Sequence, residues 1–224
     1  MAAGVSGTVG GGGPGDAGSR AAGWIAGLPV AADLRAALDF LAESHDLAYV
    51  MRLNRLRDGS RPESSAEHSW HLALCAVVLA RQTAPGVDLG RVLTMLLIHD
   101  LVEIEAGDVP IYDLEERAAV TVAEERAADR IFGLLPAAEA GAFLAAWHEF
   151  EAAASDEARF ARGLDRLQPM LLHAAGDGSA WAGRGVTVAQ ERILVAQVTE
   201  FWPALGAIAE AILVDAARRG WLAP

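Results

Sequence analysis

Apolar residues recur along most of this chain at spacings of three and four, the period of a helix with one buried face. No segment sustains the apolar–polar alternation of a half-buried strand. Leu34, Ala37, Leu38 and Leu41 place one helix over residues 31–46, with Asp33 as its N-cap, and a shorter one continues over 47–56 with Arg52 and Arg55 on it. Asp58-Gly59-Ser60-Arg61-Pro62 interrupts the pattern as a turn or loop. Ser64 or Ser65 then caps a helix reaching about Gln82. Pro85-Gly86 breaks it, and Asp88 starts a long central helix that ends at Gly107-Asp108. Further helices are predicted over 115–135, 137–153, 156–174, 188–199 and 203–219, with a glycine-rich loop around Trp181 at 176–185. Residues 1–22, mostly Gly, Ala and Ser, have nothing to bury and are expected to form a disordered tail. Residues 23–224 are expected to be a single domain, large enough for a real core. The expected fold class is all-α.

Composition reinforces the helical reading: alanine and leucine dominate, aromatics make up 6%, and β-branched residues are scattered. All 18 basic residues are arginines. Without a lysine there is neither a Schiff-base nucleophile nor the lysine of a Walker-type phosphate loop. A formal net charge of −12 argues against a nucleic-acid or anionic-membrane surface. A small anionic substrate would then need local help from a metal ion or a few arginines. Cys75, the single cysteine, excludes an internal disulfide and a thiolate cluster. No apolar stretch approaches the ~20 residues of a membrane span, and no basic-then-apolar leader is present. The cytoplasm is the expected compartment.

The chemistry concentrates in the central run, where His99 and Asp100 sit among Met95, Leu96, Leu97, Ile98, Leu101, Val102 and Ile104. Burying an unpaired carboxylate there would cost several kcal/mol, and no arginine lies between Arg91 and Asp108 to pair with it. Glu103, four residues from His99 and three from Asp100, covers the same patch of a helix. A buried His–Asp pair inside a helical core would also satisfy this stretch. His68 and Asp165 raise the same question, since each lies within an apolar helix. For Asp165 a neighbouring Arg162 or Arg166 could supply the partner. Together, two imidazoles and two carboxylates make a mixed nitrogen and oxygen site suited to Mn, Co, Fe, Ni, Zn or Mg.

The order His68 … His99-Asp100 … Asp165 resembles the H…HD…D signature of HD-domain metal-dependent phosphohydrolases, in particular the small 5′-deoxynucleotidase and HD-domain-containing-protein-2-like group. Arg61-Pro-Glu-Ser-Ser-Ala-Glu-His-Ser69 is similar to that group's R-x-E-[NS]-x-x-[ED]-H-S segment. Leu97-Ile-His-Asp-Leu-Val-Glu-Ile-Glu-Ala-Gly-Asp108 is similar to its H-D-x-x-E-x-x-x-G-D segment. The stretch from Leu134-Leu-Pro136 through Trp147-His-Glu-Phe-Glu151 and Ala158-Arg-Phe160 to Asp165 also follows the family pattern. The resemblance spans roughly residues 35–175.

This resemblance implies an all-α HD-domain fold and one divalent metal ion held by His68, His99, Asp100 and Asp165. Glu103 would orient or deprotonate the attacking water, Asp108 would contact the sugar, and Arg52 would hold the phosphate, with Arg61 as the alternative. The implied activity is release of phosphate from a (deoxy)nucleoside 5′-monophosphate or a similar small phosphate. Hydrolysis of a phosphodiester or pyrophosphate, or a metal-binding regulatory role without turnover, are the alternatives. One departure stands out: family nucleotidases can carry Arg-Trp where this chain has Arg52-Leu53, followed by a slightly longer loop, so broad tolerance of sugar and base is expected. His71 is read as a supporting or core residue, and Trp70, Trp147, Trp202 and Trp221 as packing residues. A homodimer is expected, on the apolar content of the C-terminal helices (Val188, Ile193, Leu194, Val195, Val198, Phe201 and Trp202) and on the habit of related proteins.

Overall fold

In the computed structural model, which describes residues 27–107 and 117–224, the predicted helices assemble as an all-α fold with one small hairpin. Helix α1 spans Ala32–Ser44; Ala31 rather than Asp33 stands at its N-cap, and Asp33 lies in the first turn. A 3₁₀ turn at His45–Tyr49 follows. Strand β1, Met51–Arg55, then pairs antiparallel with β2, Pro62–Ser64, setting Met51 opposite Ser64 and Arg55 opposite Pro62. The helix expected over 47–56 is therefore replaced by a 3₁₀ turn and a strand. Met51-Arg52-Leu53-Asn54-Arg55 does alternate, but its inward residues are the polar ones: Arg52 and Asn54 are partly buried while Met51 and Leu53 are exposed. A search for an apolar inner face passes over such a strand. The connecting turn has Gly59 at φ 68°, a conformation that glycine adopts without strain, and Asp58 accepts hydrogen bonds from the backbone and hydroxyl of Ser60.

Helix α2, Ser65–Thr83, opens with a capping box between Ser64 and Glu67. Helix α3, Leu89–Ile98, is capped by Asp88, whose carboxylate accepts from the amides of Gly90 and Arg91. The central helix does not run on to Gly107. It tightens into a 3₁₀ turn at His99–Val102, resumes as one turn, α4, at Glu103–Ala106, and stops at Gly107 with φ 77°. Two side chains account for the change. His99 Nδ1 lies 3.0 Å from the Leu96 carbonyl, and Trp147 Nε1 donates to the His99 carbonyl at 3.2 Å. In a continuous α-helix those carbonyls would receive the amides of residues 100 and 103; here the Glu103 amide bonds to Asp100 instead.

The remaining helices are α5 (Arg117–Phe132, part of the element expected from 115), α6 (Ala137–Ala152), α7 (Asp156–Ala175), α8 (Ser179–Ala182), α9 (Val188–Phe201) and α10 (Pro203–Arg218). The glycine-rich 176–185 segment thus contains a helical turn, and Trp181 within it is fully buried. Two apolar cores result. The larger joins α2, α3, α7, α9 and α10 around Leu72, Leu96, Phe160 and Leu164; the other joins α1, α5 and α6 around Phe40, Ile98, Phe132 and Trp147. Leu96 belongs to the first, and Ile98, Leu101 and Val102 to the second, so the His99–Val102 turn is clamped between them. Each fully buried side chain of this size stabilises the fold by about 1.5–3 kcal/mol. Among the described residues no helix is long and apolar enough to cross a membrane.

Candidate metal centre

His68 is fully buried in the first turn of α2; His99 and Asp100 come from the 3₁₀ turn, and Asp165 from the middle of α7. His68 Nε2 lies 3.1 Å and His99 Nε2 3.9 Å from Asp165 Oδ1. One ligand atom each of His68, His99 and Asp165 falls within 4.8 Å of the others. Asp100 borders this trio, with Oδ1 3.0 Å from His99 Nε2 and Oδ2 4.0 Å from His68 Nε2. Its Oδ2 also accepts from Arg52 Nη1 at 3.1 Å. Pro169 has no N–H to give the Asp165 carbonyl, which loosens the α7 ladder where this carboxylate stands.

The ring nitrogens are sorted by their neighbours. The Leu96 carbonyl and Gln168 Oε1 can only accept, so the Nδ1 atoms of His99 and His68, at 3.0 Å and 3.1 Å, carry the protons. Gln168 is itself fixed, because its amide donates to Glu63 Oε1 at 2.9 Å and lies 3.0 Å from His71 Nδ1. The Nε2 atoms are the ring positions left for an ion, and both face carboxylates: His68 Nε2 lies 3.1 Å from Asp165 Oδ1 and His99 Nε2 3.0 Å from Asp100 Oδ1. Two imidazole lone pairs, a carboxylate oxygen and a bordering carboxylate form a donor set that fits a borderline divalent ion such as Zn, Mn, Co, Ni or Fe.

Charge balance fits the same picture. Burial raises the Asp100 carboxyl, but His99 and Arg52 outweigh it and bring it down to about 2. Burial likewise opposes ionisation of Asp165, and its bond to His68 with the charge of Arg166 holds it well below the usual carboxylate range. For His99, burial disfavours the cation, yet Asp100 and Asp165 raise its pKa overall. The net effect is a buried site with ionised carboxylates that attracts positive charge.

Of the other residues singled out in the sequence, Glu103 opens α4, and its Oε2 accepts from Ser65 Oγ at 2.7 Å, tying it to the start of α2 beside His68. Arg52 faces the cluster from β1, paired with Asp100 and 4.0 Å from Glu63. Arg61 is not brought to the cluster: its guanidinium grips Glu67 bidentately at 2.7 Å and 2.5 Å on the surface. Asp108 lies outside the described residues. Trp147 packs as expected and Trp70 does not, being 64% exposed. Glu63 and Gln168 had not been singled out. The signals were present: Gln168 is one turn after Asp165 in an apolar helix, and Glu63 lies inside the quoted Arg61–Ser69 segment.

A cavity of about 200 Å³ opens from Asp165 between β1, α7 and the segment from α8 to α9. Arg52, Asn54 and Arg166 line it together with Asp165. Arg184, which donates to the carbonyl of Leu53, lines it as well.

A family model described as HD domain matches residues 45–204. The human protein named 5′-deoxynucleotidase HDDC2 is 30% identical over 142 residues, covering 63% of this chain and 68% of that relative. The mouse protein of the same name is 31% identical over 119 residues, covering 53% and 58%. Among solved structures, one from Magnetospirillum magnetotacticum MS-1, described as a predicted metal-dependent phosphohydrolase, superposes with a TM-score of 0.79 at 44% identity, covering 86% of this chain and 96% of that one. A Pyrococcus horikoshii OT3 protein, 20% identical with a TM-score of 0.60, shares the fold.

Proposed function

The chain belongs to the HD domain family, and from that premise we propose that it is a divalent-metal-dependent phosphohydrolase that releases phosphate from nucleoside 5′-monophosphates. The observation that supports this most is the pair of histidines whose Nδ1 protons are committed to fixed acceptors, leaving both Nε2 atoms turned toward the carboxylates of Asp165 and Asp100. The names carried by the human, mouse and Magnetospirillum relatives support the chemistry.

In this reading His68, His99, Asp100 and Asp165 hold one ion. When bound, it supplies Lewis acidity toward the phosphoryl group and makes water a stronger acid. Arg52, with Arg166 beside it in the cavity, brings positive charge to the phosphate and offsets the charge that develops as the ester bond breaks. The attacking water forms the new P–O bond while the sugar oxygen leaves. Glu103, oriented by Ser65, takes the water's proton, and a proton ends on the sugar hydroxyl. Asp108 contacts the sugar. Arg61 has no part in this scheme, because Glu67 already engages it at the surface. Phosphate release from purified protein, screened over nucleotides, sugar phosphates, diesters and pyrophosphates with several divalent metals, tests the proposal; turnover of diesters alone would overturn it.

A homodimer is part of the same proposal. Of the C-terminal helix residues expected at its interface, Val195 and Val198 are buried within the chain while Ile193 is exposed. A longer uncovered stripe lies on α2, where Trp70, Leu74, Val77 and Val78 are exposed at helical spacing. A second copy related by a two-fold axis meets this stripe with its own, which makes one apolar row self-complementary.

A further inference from the structure

We infer that Asn54 is a specificity-determining residue whose side-chain amide holds the 3′-hydroxyl of the substrate's sugar. The inference rests on the nucleotide reading above. Asn54 stands two residues beyond Arg52 on β1, and burial alternates along that strand so that these two side chains turn inward together. Both line the cavity, as do Asp165 and Arg166. Arg52 reaches into the metal cluster to pair with Asp100, and Asn54 does not, so from the cluster outward the cavity passes Arg52 first and Asn54 next. At a strand rise of about 3.3 Å per residue their Cα atoms stand roughly 7 Å apart. In a nucleoside 5′-monophosphate, five bonds of about 1.5 Å separate phosphorus from the 3′-oxygen, a zigzag reach of roughly 6 Å. A phosphate held by Arg52 therefore brings the sugar, not the base, level with Asn54.

The chemistry of the position fits a hydroxyl. Asn54 is partly buried, and its amide is neither sealed from solvent nor hydrogen-bonded to another described residue. It thus offers the cavity one acceptor and two donors on a neutral group. The strand that carries it is fixed by its pairing with β2 and by Arg184, which donates to the Leu53 carbonyl between Arg52 and Asn54. A phosphate dianion has Arg52 and Arg166 to meet it, and the carbonyl oxygen of an amide would repel it. A hydroxyl, itself both donor and acceptor, can use either end of the amide. Ribo- and deoxyribonucleotides of every base carry a 3′-hydroxyl, so this contact is compatible with the broad tolerance of sugar and base expected from the sequence.

Adenosine 5′-monophosphate and its 3′-deoxy analogue share base, phosphate and 2′-hydroxyl and differ only at this group. The wild-type protein is expected to favour the former in kcat/KM by roughly tenfold, the scale of one hydrogen bond left unmade. Asn54→Leu keeps the size of the side chain and removes its polar atoms, so the ratio should fall close to one. Asn54→Ala should lower it in the same way, so the outcome does not hang on one variant folding. The ratio between adenosine 5′-monophosphate and its 2′-deoxy analogue should stay as in the wild type, which a general loosening of the cavity would not allow. A wild-type 3′-ratio near one, with nucleotides turned over normally, overturns the inference alone, as does a ratio that persists in both variants. Turnover of other phosphate esters but of no nucleotide overturns the nucleotide reading and this inference with it.

Discussion

The side-chain amide of Gln168 accepts from Nδ1 of His68 at 3.1 Å while its NH₂ is held by Glu63 at 2.9 Å, and this arrangement orients the imidazole whose other nitrogen faces Asp165. Gln168→Leu would leave the Nδ1 proton without its acceptor and Glu63 Oε1 without its donor in a buried site. Removing such a support lowers metal affinity by about 10–100-fold in comparable centres. Equilibrium metal titration of the variant should show that loss; unchanged affinity would mean that His68 needs no orientation from this side.

The donor set predicts about one divalent ion per chain. His68→Ala and Asp100→Ala should each lose the ion and the turnover together, because the first removes a converging lone pair and the second exposes Arg52 and His99 to each other's charge. Elemental analysis of dialysed protein checks this. Full stoichiometry in both variants would refute the ligand assignment.

Glu103→Gln should keep the ion and lose most of the rate, on the order of 10²-fold or more, as for removal of a general base. The glutamine still accepts from Ser65 Oγ, so the start of α4 stays in place. Paired measurements of kcat and bound metal separate the two effects, and near-normal kcat would show that proton removal does not pass through this residue.

The site was legible because its residues are chemically out of place: His68, His99, Asp100 and Asp165 interrupt apolar helices, and burial there demands a partner. What the periodicity could not convey was backbone detail set by tertiary contacts. The tightening at His99 depends on the indole of Trp147, 48 residues away. The β1 strand is hidden by its inverted pattern, with Arg52 and Asn54 inward. That inversion also changes the reading of Leu53: its side chain is 55% exposed, and its carbonyl, not its side chain, meets the cavity wall through Arg184. The sequence put Arg52 first as the phosphate ligand with Arg61 as the alternative; in the structure Arg61 is engaged by the capping-box glutamate Glu67, while Arg52 faces Asp100.

The α2 stripe yields a prediction about assembly. Light scattering at micromolar concentration should give twice the chain mass for the wild type and the single-chain mass for Val77→Glu. This substitution places a charge at an exposed position and leaves both cores untouched. A wild-type monomer would refute the dimer.

The last prediction concerns acid stability. His173 lies mostly buried at the cavity end with neither ring nitrogen bonded, and burial together with the facing Arg184 charge depresses its pKa to about 4. An unfolded histidine titrates near 6.5. Above about pH 7 the ring is neutral in both states and contributes no pH dependence. As pH falls from 6.5 toward 4, the unfolded chain binds a proton that the folded chain refuses. The unfolded state is then favoured, by up to about 3 kcal/mol at the bottom of that window. Replacing His173 by Leu removes the titrating group and keeps the apolar contact with Trp181. Urea denaturation of metal-free protein should therefore show a smaller loss of stability between pH 7 and pH 4.5 for His173→Leu than for the wild type, with the two closest near neutrality. Parallel curves over the whole range would show that His173 is protonated as readily in the folded chain as outside it.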